Sequence, residues 1–363
     1  MSTVTWDKEL IEKYNINGPR YTSYPTALML SEQFSENRIE AALKNAGDGL
    51  CLYLHLPFCH KLCYYCGCNK VITRHQHKAD KYLDYLAKEM AMYQPMVKDK
   101  KIRQIHLGGG TPTFLTEQQL TRLMDLVHEN FTFANNPEVS IEIDPRSCSD
   151  EKLRHLRELG FNRVSYGVQD FDKKVQIAIN RVQDVDLIAH QLKLSKELGF
   201  DSINLDLIYG LPYQRPETFR KSIEQVIEMD PDRISVFSYA HLPERFAGQK
   251  KIPEESIPQP SVKLSLLEQA ITQLSEAGYQ FIGMDHFAKK DDGLAIAQRE
   301  GRLQRNFQGY TTDGQDALLG LGVSSISQVN GVLWQHEKEL PAYYKMIDSG
   351  QKPIIKGMAL TDE

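Results

Sequence analysis

A chain of 363 residues, 25% charged and 41% hydrophobic, has the profile of a globular protein that can bury its own core without disulfide staples. Its formal charge of −5 gives no global basic field for nucleic acid, and no apolar run is long enough to span a membrane as a helix. The six cysteines are therefore expected to be reduced chemical groups in a cytoplasmic protein.

Residues 1–48 show no helix-to-strand period but hold Gly18-Pro-Arg-Tyr-Thr-Ser-Tyr-Pro25, a rigid aromatic segment that suits either a lid or packing on a rim. The first strand, near 50–56, runs into a loop with Cys59, Cys63, Cys66 and Cys68. The first three make C-x3-C-x2-C. Three thiolates on one short loop can hold three irons of a cubane cluster and leave the fourth open. An electron-transfer cluster normally takes four cysteines, and a structural zinc site two separated pairs. Further strands are expected near 102–108, 138–143, 162–168, 202–209, 233–239 and 280–285. The second ends in Gly108-Gly-Gly-Thr-Pro112, where glycines let backbone amides approach a carboxylate or amine closely. Glu142 stands at the end of the third, Gln169-Asp170 at the fourth, Asp206 on the fifth and Phe237-Ser-Tyr-Ala-His241 at the sixth.

Between the strands run apolar helical stripes. Leu120, Leu123, Met124 and Val127 follow a Thr116/Gln119 capping box; Phe219, Ile223, Val226 and Ile227 follow Pro216; Leu267, Ala270, Ile271 and Leu274 make a third. A helix end, a glycine, an aromatic and a strand recur at Gly160-Phe161, Gly199-Phe200 and Gly278-Tyr279. The alternation predicts an α/β fold with a parallel sheet, open or closed into a barrel, and functional groups at the carboxyl ends of its strands. His55, His60, His106, His241 and His286 are expected as hydrogen-bonded structural residues, and Cys51 and Cys148 as buried, inert thiols.

With Pro19-Arg-Tyr-Thr-Ser-Tyr-Pro-Thr26, Tyr53-Leu-His-Leu-Pro-Phe-Cys59, Cys63-Tyr-Tyr-Cys-Gly-Cys-Asn-Lys70, the Gly108–Pro112 run and Gly309-Tyr-Thr-Thr312, nearly the whole chain resembles the radical S-adenosylmethionine enzymes. It most resembles the oxygen-independent coproporphyrinogen III oxidase family of haem synthesis. The resemblance implies a partial parallel (β/α) barrel over 49–330, with 1–48 as an N-terminal segment over the active site. It makes 331–363 the start of an incomplete helical C-terminal domain, so a truncated chain is expected. It assigns Cys59, Cys63 and Cys66 to one 4Fe-4S cluster and Cys68 to a catalytic role. Two S-adenosylmethionine molecules are implied. Tyr53, Gly109, Glu142 and Ile326 match positions at the cluster-bound one, with Tyr65 near its adenine. Gly110, Thr111, Gln169, Arg181, Asp206 and Ala240 match positions at the second.

The implied reaction begins when an electron from the cluster breaks a sulfur–carbon bond to give a 5′-deoxyadenosyl radical. The radical takes a β-hydrogen from a propionate, and loss of carbon dioxide and one electron leaves a vinyl group. Two propionates of an acidic tetrapyrrole react; Arg20, Lys70, Arg302 and Arg305 are candidates to meet its carboxylates. A reductant such as flavodoxin or ferredoxin is implied, and a monomer is the default. Haem-binding, chaperone-like relatives share the cluster motif but are expected to lack Cys68 and the Arg20–Pro25 segment, so the enzyme is favoured. A redox-inactive zinc protein is the more distant alternative.

Overall fold

In the computed structural model, which describes residues 6–14, 25–312, 314 and 316–360, six parallel strands lie side by side in chain order. They are β1 (Gly49–Leu56), β2 (Lys101–Gly109), β3 (Thr132–Ile143), β4 (Arg163–Gln169), β5 (Ser202–Tyr209) and β6 (Arg233–Ser238). A helix follows each: α1 (His77–Val97), α2 (Glu117–Asn130), α3 (Asp150–Glu158), α4 (Val185–Glu197), α5 (Pro216–Met229) and α6 (Pro260–Glu276). This is the expected partial (β/α) barrel. No helix among the described residues is long and apolar enough to cross a membrane.

The two-residue strand period sorts side chains between two surroundings. Leu52, Leu54, Leu107, Ile141, Tyr166, Leu205 and Val236 are buried against the helices. Their alternates, among them Gln104, His106, Glu138, Ser140, Glu142, Ser165, Asn204 and Asp206, face the barrel lumen. The apolar layer is thus outside the barrel and the polar layer inside it, which leaves room there for a ligand. The capping box forms as expected, with Gln119 N 3.2 Å from Thr116 Oγ1 and Thr116 N 3.1 Å from Gln119 Oε1. In the third stripe the buried face is Leu266, Ala270 and Leu274, one residue displaced from Leu267 at its start.

The repeated phrase closes helices in one way. Gly160, Gly199 and Gly278 all have positive φ, at 92°, 74° and 93°. Each following aromatic donates its N–H to the carbonyl five residues back: Phe161 to Leu156, Phe200 to Ser195, Tyr279 to Leu274. This is the Schellman closure, and glycine takes its left-handed position without a Cβ penalty. Gly199→Ala meets no neighbour within 4 Å, so only the backbone strain counts. A urea titration should find it destabilised by about 1 kcal/mol.

Past α6 the barrel pattern stops. The strand expected near 280–285 is β7 (Gln280–Gly283), paired antiparallel with β8 (His286–Ala288), which itself runs antiparallel to β6. The hairpin β9 (Gln304–Asn306) and β10 (Gly309–Thr311) follows. Beyond the other edge, β11 (Ala317–Leu321) pairs parallel to β1 and leads into antiparallel β12 (Ile326–Val329), β13 (Val332–His336) and β14 (Ile354–Ala359).

A helical domain starting at 331 is therefore not what the chain builds. Asn330 and Gly331, with φ of 46° and 73°, form the tight turn of the β12–β13 hairpin. All five residues of β13 are buried, Trp334 completely, and α7 (Leu340–Asp348) packs on α1. The expected boundary falls inside one sheet because Val332-Leu-Trp is core material. Of the expected N-terminal segment, the helix Asn37–Asn45 packs on α1 and on β12 and β13. The aromatic segment Tyr21–Tyr24, expected as a lid or as packing on the rim, lies outside the described residues, as does Arg20.

Candidate functional site

The cysteine loop leaves β1 at the carboxyl end of the barrel. A two-residue ladder closes its base, pairing Phe58 with Val71 and Cys59 with Ile72. The glycine run lies against that base: Gly110 N donates to Leu56 O at 2.8 Å and Thr111 N to Phe58 O at 2.9 Å. A Cβ on Gly110 would stand 2.6 Å from the Pro57 carbonyl carbon, so only glycine admits this approach. Tyr64 N donates to Ile179 O at 2.9 Å, and Asn180 Nδ2 to Leu62 O at 2.8 Å. Lys70 Nζ donates to the carbonyls of Cys66 and Cys68.

Cys59 and Cys63 are buried, Cys66 is partly so, and Cys68 is exposed. The Thr111 hydroxyl donates to Cys59 Sγ at 3.2 Å. Arg146 Nη2 and Arg181 Nη1 each lie 3.5 Å from Cys63 Sγ. Burial pushes the Cys59 thiol up to about 12, with the Thr111 hydrogen bond opposing. The Cys68 thiol, donating to Cys66, lowers Cys66 to about 6 against burial, with Lys70 helping. Among the described residues no three His, Cys, Asp or Glu side chains close on a point as the ligands of one ion would. Three separated thiols on one loop, each met by a hydrogen-bond donor, suit the irons of an anionic cluster better than a single zinc.

Beside the loop, Tyr53 stacks on His106 at 6.0 Å and 15°. His106 Nδ1 is 2.7 Å from Ser140 Oγ and its Nε2 3.3 Å from Glu142 Oε1, while Gly109 N donates to Glu142 Oε2 at 3.3 Å. Burial pushes Glu142 up, but His106 and the Gly109 N–H more than offset it and hold the carboxyl below its usual range. A Cβ on Gly108 would stand 2.9 Å from Glu142 and 3.1 Å from Tyr53, so the glycine keeps open the space where they meet. Tyr53 pairs with Gly320, over which Ile326 O would stand 2.8 Å from a Cβ. Four expected residues of the first set, Tyr53, Gly109, Glu142 and Ile326, thus line one wall.

A lumen cavity of about 270 Å³ joins Glu142 to Asp206. Asp206 accepts from Ser165 Oγ at 3.0 Å and Asn204 Nδ2 at 2.7 Å. Burial, then the charge of Glu142, raises it. Asn306, Tyr310 and Thr312 line the same cavity from the β9–β10 hairpin, which gives the Gly309–Thr312 motif its place. Gln169, buried with φ of 71°, and Arg181 meet over Gly167, where a Cβ would stand 2.8 Å from one and 2.9 Å from the other.

The fork of Arg181, expected at the second S-adenosylmethionine, is filled from within. It donates to Asp144 Oδ2 at 3.1 Å and Gly167 O at 2.6 Å. Asp144 also takes three bonds from Arg146, two from its side chain at 2.7 and 3.0 Å and one from its backbone N–H at 3.1 Å. Burial would raise Asp144, but Arg181 and Arg146 more than offset it and hold it at about 2. Asp144 and Arg146 escaped the reading of the sequence; their signal is Ile143-Asp-Pro-Arg146, an acid and a base one step past a strand end. Gln249 escaped it too and gives no periodic signal. Its buried amide donates to Tyr65 O at 2.9 Å and Ala240 O at 3.2 Å, tying those two expected residues together.

Other candidates go elsewhere. Arg302 pairs with Glu300 on the surface, and Arg305 lies 4.7 Å from the Tyr310 ring centre. Asp170 is a buried structural acid that accepts from Ser222 Oγ at 2.8 Å, Asp172 N at 2.7 Å and Gln214 Nε2, joining the β4 end to α5. Burial raises it to about 6, above its usual 3.8, although those three bonds pull it down. A raised carboxyl contributes stability below about pH 4 that is lost as pH rises through 6, on the order of 3 kcal/mol in all. Asp170→Asn should therefore gain on the wild type by about that much between pH 4 and 7. Paired urea titrations across this range would show it; a pH-independent difference would refute it.

Residues 53–226 match the radical SAM superfamily. The oxygen-independent coproporphyrinogen III oxidase of Escherichia coli strain K12 is 53% identical over 99% of this chain and 79% of its own length. This chain belongs to the oxygen-independent coproporphyrinogen III oxidase family. The Pseudomonas aeruginosa member is 46% identical over 99% of this chain and 79% of its length. The solved structure of coproporphyrinogen III oxidase from Escherichia coli, described as a radical SAM enzyme, superposes with a TM-score of 0.95. It is 52% identical, over 99% of this chain and 81% of that one. The chain spans about four-fifths of the length of the curated relatives it matches. Membership carries the 4Fe-4S cluster and S-adenosylmethionine binding characteristic of the family.

Proposed function

We propose that this chain performs the oxygen-independent oxidative decarboxylation of two propionates of coproporphyrinogen III to vinyl groups, giving protoporphyrinogen IX in haem synthesis. The carrying observation is the family match over 99% of the chain, whose loop gathers Cys59, Cys63 and Cys66 beside the Gly108–Gly110 run and the Tyr53–Glu142 wall. In this reading those three cysteines hold the cluster. When bound, the cluster and S-adenosylmethionine supply the electron and the carbon radical that start the reaction.

The chain's own residues bind, orient and shield. Tyr53, Glu142, the Gly109 amide and Ile326 offer a carboxylate, an N–H and a ring for the first S-adenosylmethionine, with Tyr65 toward its adenine. Gly110, Thr111, Gln169, Arg181, Asp206 and Ala240 surround the second. Arg146 and Arg181, held by Asp144, face the Cys63 sulfur with positive charge, which suits an anionic cluster. Cys68, exposed beside Cys66, is the thiol free to serve the substrate side. The reductant is an acidic carrier such as flavodoxin or ferredoxin, and the chain acts as a monomer.

The test is anaerobic reconstitution with iron and sulfide, reduction, and addition of S-adenosylmethionine with coproporphyrinogen III. Chromatography should find both 5′-deoxyadenosine and protoporphyrinogen. Stoichiometric haem binding with neither product from a loaded cluster would sink this reading.

A further inference from the structure

Although the chain carries a net charge of −5, residues 58–74, the cysteine loop and its return, contain Lys61, Lys70 and Arg74 and no Asp or Glu. Lys61 and Arg74 are exposed. Exposed Lys251 holds its Nζ 4.9 Å from the ring of Tyr64, between Cys63 and Cys66. Lys152 binds the carbonyls of Thr113 and Leu115 at 3.0 and 2.8 Å, on either side of Phe114, whose ring lies 4.5 Å from His60. Cations therefore flank the loop from two further segments as well as its own.

Apolar side chains break the surface on the loop's return and on the segment that docks against it. Ile72, 43% exposed, pairs with Cys59 in the ladder. Ile177 and Val182, 61% and 43% exposed, flank the Ile179–Asn180 backbone and amide that dock the loop. Such side chains are unremarkable singly, but here they cluster around one loop inside a ring of positive charge. A small apolar centre with a charged rim is the make-up of brief, fast, electrostatically steered contacts, including those of electron carriers.

We propose that this outer face of the cysteine loop is the docking site for an acidic one-electron carrier protein that reduces the cluster. The inference rests on the reading that Cys59, Cys63 and Cys66 hold that cluster. The transfer moves one electron from the donor, which is oxidised, to the cluster, which is reduced; no bond on this chain forms or breaks. Charge complementarity selects the partner, since an acidic surface gains from Lys61, Arg74, Lys152 and Lys251 while a basic one is repelled.

The test uses the reconstituted protein, K61E/R74E, and K193E, a charge reversal near the C-terminal end of α4, as a control. Cluster reduction is followed by stopped-flow absorbance with reduced flavodoxin, an acidic carrier, and separately with photoreduced deazariboflavin, a small uncharged reductant. Flavodoxin binding is measured independently by titration calorimetry. K61E/R74E should slow reduction by flavodoxin at low salt about tenfold or more and weaken its binding. It should leave reduction by deazariboflavin within about twofold of wild type. The wild-type flavodoxin rate should fall as salt rises, and K193E should behave as wild type. Equal slowing with both reductants would assign these cations to the cluster itself and overturn the proposal. So would a raised KM for the tetrapyrrole with flavodoxin binding unchanged. Failure of deazariboflavin to reduce wild-type protein would instead count against the cluster reading.

Discussion

Cys63→Ala should leave a folded protein that cannot hold its cluster, with 5′-deoxyadenosine formation below detection. The loop does not depend on this thiol for its shape. Tyr64 N–Ile179 O, Asn180–Leu62 O and the Phe58–Val71 ladder hold it by backbone contacts on both sides of Cys63. What disappears is the sulfur that Arg146 and Arg181 both approach at 3.5 Å. Two thiols then remain where three are needed, and two guanidinium groups face an empty position with Asp144 as their shared counter-charge. Iron and sulfide content after anaerobic reconstitution, with far-UV circular dichroism as the folding control, decides the matter. Full iron content in the variant would exclude Cys63 as a ligand. Arg146→Ala should act more mildly, weakening cluster retention about tenfold, because it removes an outer donor and not a ligand.

The barrel was legible because its period is simple. Leu50, Leu52 and Leu54 alternate with Cys51, Tyr53 and His55, and each helix carries its stripe between a cap and a glycine. The same alternation placed Glu142 and Asp206 inside the lumen. The edge strands were not legible in the same way. Val332-Leu-Trp-Gln-His336 is buried at every position, so it shows no alternation, and only the Asn330-Gly331 turn announces a hairpin. The polar clasps were hidden for another reason. Asp144, Arg146 and Gln249 act through partners far along the chain, and neither spacing nor residue type says which of many acids and amides will be buried. Asp170 shows the converse: a strand-end carboxylate that looked functional is consumed by Gln214, Ser222 and the Asp172 amide.

Glu89→Ala should cost the fold about 2–4 kcal/mol, the cost of leaving two buried donors without their acceptor. Glu89 lies on α1 with no exposed surface. Its Oε2 accepts from Tyr343 Oη at 2.5 Å and Gly322 N at 2.9 Å, and its Oε1 lies 2.9 Å from His336 Nδ1. His336 Nε2 is in turn 2.9 Å from Tyr93 Oη. One carboxylate thus joins α1, the turn after β11, β13 and α7. Its removal strands the Tyr343 phenol and the Gly322 amide, while His336 keeps Ser325 Oγ, Gly322 O and Tyr93 Oη as partners. Glu89→Gln keeps the size and two hydrogen-bond positions and should cost less than half as much. Urea unfolding of the three proteins provides the comparison, and a loss under about 1 kcal/mol for the alanine variant would show the clasp to be dispensable. The consequence should also reach the site. Tyr82, next to Tyr343 in the core, donates to the His55 carbonyl at 2.7 Å and accepts from Val323 N at 3.0 Å. His55 in turn lies 3.0 Å from Tyr53 Oη and from Asn69 O at the end of the cysteine loop. Loosening Glu89 should therefore speed cluster loss under anaerobic chelation before global unfolding begins, because the end of β1 that launches the loop is braced through this clasp.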